Sequence, residues 1–155
     1  MRVVLTRASY DEITAHAVQA FPNECCGFII ERQGRQETVR VTNEQDRLHA
    51  LDPVGYPRTA TTAYSMGKEQ LPVIRAHERG ELTIVAVYHS HPQHEAYFSE
   101  EDRKNAAPGG EPTYPLAGQV VISVYDGAVK AAKAFRWDDR QRDFVDADLR
   151  VTDGV

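Results

Sequence analysis

The sequence predicts an α/β domain, a single mixed β-sheet flanked by helices, and three observations predict it. Residues 82–88 and 119–125 are apolar, β-branched runs of strand length, the kind buried inside a sheet. Residues 8–21 and 68–79 carry apolar side chains at helical spacing. A chain of 155 residues, 41% apolar and 26% charged, can close one core without staples. The order helix, hairpin, helix, strand, helix, hairpin is that of a layered α/β domain.

Taken in order, residues 2–5 form a short apolar strand. A helix starts at Ala8 or Ser9, with Ser9 as its cap. It buries Ile13, Ala17, Ala20 and Phe21 and ends at Pro22-Asn23. A strand runs from Cys25 or Cys26 to about Glu31, turns at Gln33-Gly34-Arg35, and pairs with a half-exposed strand over 37–43, where Val39 and Val41 alternate with polar residues. Residues 44–62 hold Asp52-Pro53, Gly55 and Tyr56-Pro57 with weak periodicity and read as an irregular loop. A short strand over 61–66 precedes the second helix, which tolerates Pro72 in its first turn and closes at Gly80.

The buried run 82–88 leads into His89-Ser90-His91-Pro92. Side chains two apart on a strand share a face, so the imidazoles of His89 and His91 point the same way. Pro92 cannot extend a ladder and leaves them at the strand's end. Ser99 is a helix N-cap followed by Glu100, Glu101 and Asp102, which places Asp102 one turn inside, able to lean back toward the strand. Two imidazoles, one carboxylate and an open fourth position make up the ligand set of a catalytic zinc. Taken singly, each residue has a plainer reading: two ordinary histidines, and a capping interaction between Ser99 and Asp102. Their convergence favours the metal site.

Beyond it, 108–112 is a breaker cluster and Asp126-Gly127 a two-residue hairpin turn followed by a strand over 129–137. The domain spans 1–137. Residues 138–155 form a charged tail with Phe144, Val145 and Leu149 as docking points. A net charge of −5 without a basic run excludes nucleic acid as the main partner. No run approaches the ~20 apolar residues of a membrane span, and the N-terminus lacks a signal-peptide core, so a cytoplasmic location is expected. Cys25 and Cys26, the only cysteines, are adjacent and read as small buried hydrophobes.

His89-x-His91, seven residues, then Ser99-x-x-Asp102 resembles the motif of the JAMM (MPN+, Mov34/PAD-1 type) zinc metalloproteases. The stretch Pro22-x-Glu24-x-Cys26-Gly27 resembles the start of that family's fold. The resemblance implies a cytidine-deaminase-like α/β architecture, with Zn²⁺ held by His89, His91 and Asp102. It also implies that Glu24 is the general acid/base and that Ser99 is the hydroxyl facing the oxyanion. It is to the short bacterial members, which act on C-terminal tails of ubiquitin-like sulfur-carrier proteins. The partner implied is such a carrier with a Gly-Gly-type tail. The alternatives are a non-catalytic MPN scaffold, which would lack the ligands this chain keeps, and a peptidase of cell-wall or other peptides. A DNA-repair-associated relative is disfavoured, since His-Ser-His-Pro-Gln-His stands where that group has His-Asn-His-Pro-Ser-Gly.

Overall fold

A seven-stranded sheet wraps around one helix in the computed structural model, which describes residues 1–153. β1 (Arg2–Thr6) runs straight into α1 (Arg7–Ala20). A hairpin of β2 (Cys26–Arg32) and β3 (Arg35–Val41) follows, then α2 (Gln45–Leu51), α3 (Gln70–Glu78) and β4 (Thr83–Pro92). After α4 (Glu100–Ala106) and a 3₁₀ turn at Pro108–Gly110 come β5 (Gly118–Tyr125), β6 (Ala128–Asp138) and β7 (Asp143–Thr152). The strand order is β1-β7-β6-β5-β4-β2-β3. The β1–β7 and β4–β5 pairs are parallel and the rest antiparallel. β4 therefore lies inside the sheet with partners on both sides, as its apolar sequence predicts.

The two edges of the sheet come back toward each other. The Thr6 N–H donates to Oε1 of Gln36 on β3, and Gln36 Nε2 donates to the Val4 carbonyl, both at 2.9 Å. One side-chain amide thus bridges the free edges of β1 and β3, using main-chain groups that would otherwise be open. Inside the curl, Ile13 and Ala17 of α1 pack on Val3, Leu5, Ile29, Ala86, Tyr88, Val120 and Ile122. Tyr88 is wholly buried and lies against Gly27, where an added Cβ would meet the Tyr88 hydroxyl at 2.6 Å and collide with the Val39 carbonyl. Only glycine fits there. Outside the curl, Val73 and Ala76 of α3 cover Phe28, Ile30, Ile84 and Val87. Under α4, Phe98 packs on Phe135 and Phe144, and Phe144 packs on Trp137 at 5.1 Å.

Several elements differ from the sequence reading. α1 starts at Arg7 because Thr6 is the cap: its hydroxyl accepts the Ser9 N–H at 3.1 Å. Residues 44–62 contain the helix α2, whose apolar stripe is too short to register. It is anchored by polar bonds instead, from the Gln45 N–H to Asn43 Oδ1 and from Gln45 Nε2 to the Arg58 carbonyl. The strand expected over 61–66 is a single bridge, Asn43 to Met66. The charged stretch after 137 supplies β7, inserted between β6 and β1. Its alternating Asp and Arg residues face outward, and that polarity hides the strand.

Candidate active site and metal centre

The site forms where β4 ends beside the start of β2. His89 and His91 share the outer face of β4 and are both buried. The Cys26–His89 register brings the start of β2 against this end of β4, and continuing it by two residues sets Glu24 opposite His91. The Ser90 hydroxyl, facing away from the imidazoles, accepts the Cys25 N–H at 2.8 Å and locks the two strands there. Glu24 itself is tied by its backbone: its N–H donates to the Ala60 carbonyl at 2.7 Å, and its carbonyl accepts Asn43 Nδ2 at 2.9 Å. The positive φ of Gln93 then turns the chain out of β4.

α4 delivers the third ligand candidate. Ser99 caps it, and the capping box is complete. Ser99 Oγ accepts the Asp102 N–H, and Asp102 Oδ2 accepts the Ser99 N–H, both at 3.0 Å. The capping reading of this pair holds, and the Asp102 carboxylate also faces the histidines. His89 Nε2 lies 3.0 Å from Asp102 Oδ1, His91 Nε2 3.1 Å from Oδ2, and the two Nε2 atoms 3.1 Å from each other.

Three buried donor atoms converging in this way fit a metal ion. A tetrahedral ion with ligands at 2.0–2.1 Å separates them by about 3.3 Å, close to the spacing seen. The ring orientation agrees for His91. Its Nδ1 lies 2.9 Å from the Glu95 carbonyl, which can only accept, so Nδ1 carries a proton; Nε2, which donates to Asp102 while the ring is charged, becomes the free ligand atom once the ring is neutral. Nδ1 of His89 has no hydrogen-bond partner. That ring is held by packing, stacked on Tyr64 at 4.8 Å and flanked by Phe98 at 6.4 Å.

The electrostatics separate the two carboxylates. Burial works against the charge on Asp102, but the charge of His89, hydrogen bonds from both histidines and the Ser99 N–H hold it well below the usual range. Among the described residues no hydrogen bond reaches the Glu24 carboxylate. Burial pushes its carboxyl up to about 7, against the opposing pull of His89, His91 and Arg58. One acid is thus fixed as an anion and the other is poised to exchange protons near neutrality.

Glu24, His91, Ser99 and Asp102 line one cleft of about 150 Å³ together with Arg58, Tyr64, His94, Tyr97 and Asn105. A larger groove of about 350 Å³ shares the walls Tyr64 and Asn105. It continues over Phe28, Val87, Gln119 and Tyr114 and has no cluster of titratable groups, so the chemistry belongs to the smaller cleft.

The sequence pattern of the prokaryotic homologs of the JAB domain matches residues 6–138. The chain belongs to that family. It is similar to the CysO-cysteine peptidases of Mycobacterium tuberculosis and Mycobacterium bovis, at 31% identity over 136 residues, covering 86% of this chain and 82% of each relative. The fold is similar to that of a protein from Desulfitobacterium hafniense (TM-score 0.67, 23% identity, 98% of this chain and 94% of that one). It also resembles a JAB1/MPN domain protein from Archaeoglobus fulgidus (TM-score 0.52, 13% identity, 96% and 97%). The expected JAMM/MPN fold is therefore present, and this family member is a peptidase with a His-His-Asp group able to hold a metal ion.

All five residues singled out in the sequence come together: three converge on one point, and Glu24 and Ser99 line the cleft beside them. Sequence reasoning missed Asn43, Ala60, Tyr64 and Arg58. Asn43 alone bonds Glu24, Ala63, Gln45 and Ser65. Each lies in or next to segments of weak periodicity, and no local pattern marks them. Of the other histidines, His49 bonds the Tyr56 carbonyl and the His77 ring lies against Tyr114. No helix among the described residues is long and apolar enough to cross a membrane.

Proposed function

We propose that the protein is a zinc-dependent peptidase that hydrolyses an amide bond at the C-terminal tail of a ubiquitin-like or sulfur-carrier protein. The observation that carries this is the buried convergence of His89, His91 and Asp102 beside a carboxyl held near neutrality, in a chain of this family. The mycobacterial relatives, CysO-cysteine peptidases by name, support the carrier-type substrate.

His89, His91 and Asp102 would hold the ion. Bound there, zinc supplies Lewis acidity, lowering the pKa of a water toward ~7 and polarising the scissile carbonyl. Glu24 accepts the proton of the attacking water and passes it to the leaving amine, roles that suit a carboxyl held at about 7. The Ser99 hydroxyl accepts from Asp102 N–H, which leaves its own hydrogen free to donate to the developing oxyanion. Burial of the cluster excludes bulk water and strengthens each of these interactions.

The test is metal content and cleavage measured together. Wild-type protein should bind about one zinc per chain and trim a carrier protein extended beyond Gly-Gly, while His91→Ala should do neither. A His91→Ala variant that keeps a full equivalent of zinc would show the ligand assignment to be wrong. Zinc-loaded protein that leaves every extended carrier intact would remove the substrate assignment.

A further inference from the structure

The catalytic cleft contains a guanidinium without an acid partner. Arg58 lines it with Glu24 and His91, and also lines an adjoining cavity of about 280 Å³ beside Tyr56 and Asn105. Among the described residues its side chain makes one hydrogen bond, to the Thr62 carbonyl at 3.3 Å, and no ion pair. Away from the cleft, Arg40 is neutralised by Glu12 at 2.6 Å and Arg103 by Asp143 at 2.9 Å; what sets Arg58 apart is its place on the cleft wall. Glu101 lines both cavities as well, yet forms no ion pair with Arg58.

The segment carrying this charge is fixed relative to Glu24. The Arg58 carbonyl accepts Gln45 Nε2 at 3.0 Å, and Gln45 is buried. Two residues on, the Ala60 N–H donates to Asp46 Oδ1 at 2.7 Å, and the Ala60 carbonyl is the one that holds the Glu24 N–H. Arg58 therefore stands on the Glu24 wall. In the reaction proposed above, Glu24 protonates the leaving amine, so the departing fragment lies on that wall too. An exposed, planar guanidinium that forms no ion pair there, and only acts on Glu24 at longer range, matches one group above others, a carboxylate gripped by paired N–H donors. A fragment cut from the extreme C-terminus brings such a group, its own α-carboxylate.

We infer that Arg58 is a specificity-determining residue that pairs with the α-carboxylate of the leaving fragment. The enzyme then releases a C-terminal amino acid or short peptide, in preference to cutting within a long chain or at an isopeptide link to a folded protein. This inference rests on the peptidase reading.

The probes are two peptides ending Gly-Gly-Ala, identical except that one has a free α-carboxylate and the other a C-terminal amide. Binding is measured on zinc-loaded Glu24→Gln protein, which should not turn them over, and cleavage on zinc-loaded protein with Glu24 intact. Each is repeated with Arg58→Met and Arg58→Lys. The carboxylate peptide should bind about 10- to 100-fold tighter than the amide. Arg58→Met should abolish that preference, mainly through KM, and Arg58→Lys should restore part of it. Equal affinity for the two peptides, no detectable binding of either, or an equal loss for both in Arg58→Met overturns the inference. Cleavage of both peptides with equal kcat/KM overturns it while leaving the peptidase reading in place. An Arg58-dependent carboxylate preference in binding without cleavage supports the role of Arg58 and counts against this peptidase reading instead.

Discussion

The two walls of the cleft are built differently. The α4 wall is local: Ser99 and Asp102, three residues apart, satisfy each other's backbone and still present a hydroxyl and a carboxylate to the site. The Glu24 wall is assembled from a distance. The glutamate is positioned through Asn43 and Ala60, and both belong to a region whose order comes from scattered polar bonds. The first wall needs one helical turn, and the second needs most of the fold to be in place.

The largest expected effect breaks the local wall. Asp102→Ala removes a ligand candidate and half of the capping box. Bound zinc should fall below about a tenth of an equivalent and activity by about 10³-fold or more. Elemental analysis of dialysed protein, with kcat/KM on the same sample, checks both. Glu24→Gln on the opposite wall should lose about 10²–10⁴-fold in kcat while keeping its zinc. Full activity in that variant would take Glu24 out of the mechanism.

Two milder substitutions sharpen the contrast. Ser99→Ala should cost only about 1 kcal/mol of stability as a lost cap, yet about 10²–10³-fold in rate as a lost oxyanion donor. Asn43→Ala should reverse the balance, costing roughly 2–3 kcal/mol for several broken bonds but only about 10-fold in rate through misplacement of Glu24. Urea unfolding alongside kcat/KM separates them. If Asn43→Ala left stability unchanged, the distant wall would not depend on it.

An effect on stability alone, with no change in rate to read, is in pH dependence without metal. A carboxyl at about 7 when folded and near 4.5 when unfolded stabilises the fold below pH 4.5, and that contribution is lost as the pH rises through 7. Metal-free Glu24→Gln has no such group and should therefore gain on wild type by roughly 3 kcal/mol between pH 4.5 and 7.5. Melting temperatures at the two ends of that range test it, and a constant gap would mean that Glu24 is not perturbed.

This asymmetry also explains what was legible in the sequence. The period-2 pair His89 and His91, the terminating Pro92 and the cap Ser99 are local signals, and the structure places all of them as read. The hairpin at Asp126-Gly127 was equally plain, because both residues need the positive φ they adopt. Glu24 was found only through the family resemblance, since its environment comes from residues far along the chain. α2 was hidden because polar anchors, not an apolar stripe, hold it. β7 was hidden because its outward face is charged, though Phe144 is part of the core and Asp143 fastens Arg103 of α4. The stretch read as a tail thus helps hold Asp102 in place.

The aromatic stack beneath α4 has a practical consequence. Trp137 is the only tryptophan in the chain, and from its ring the contacts pass through Phe144 and Phe98 to His89. The indole's surroundings depend on how firmly α4 is seated, and that seating depends on whether Asp102 is drawn toward the histidines. A native fluorophore thus stands three ring contacts from the candidate metal site. Trp137 emission should therefore change as zinc is titrated into metal-free protein, and an unchanged spectrum would show that α4 is seated alike with and without metal.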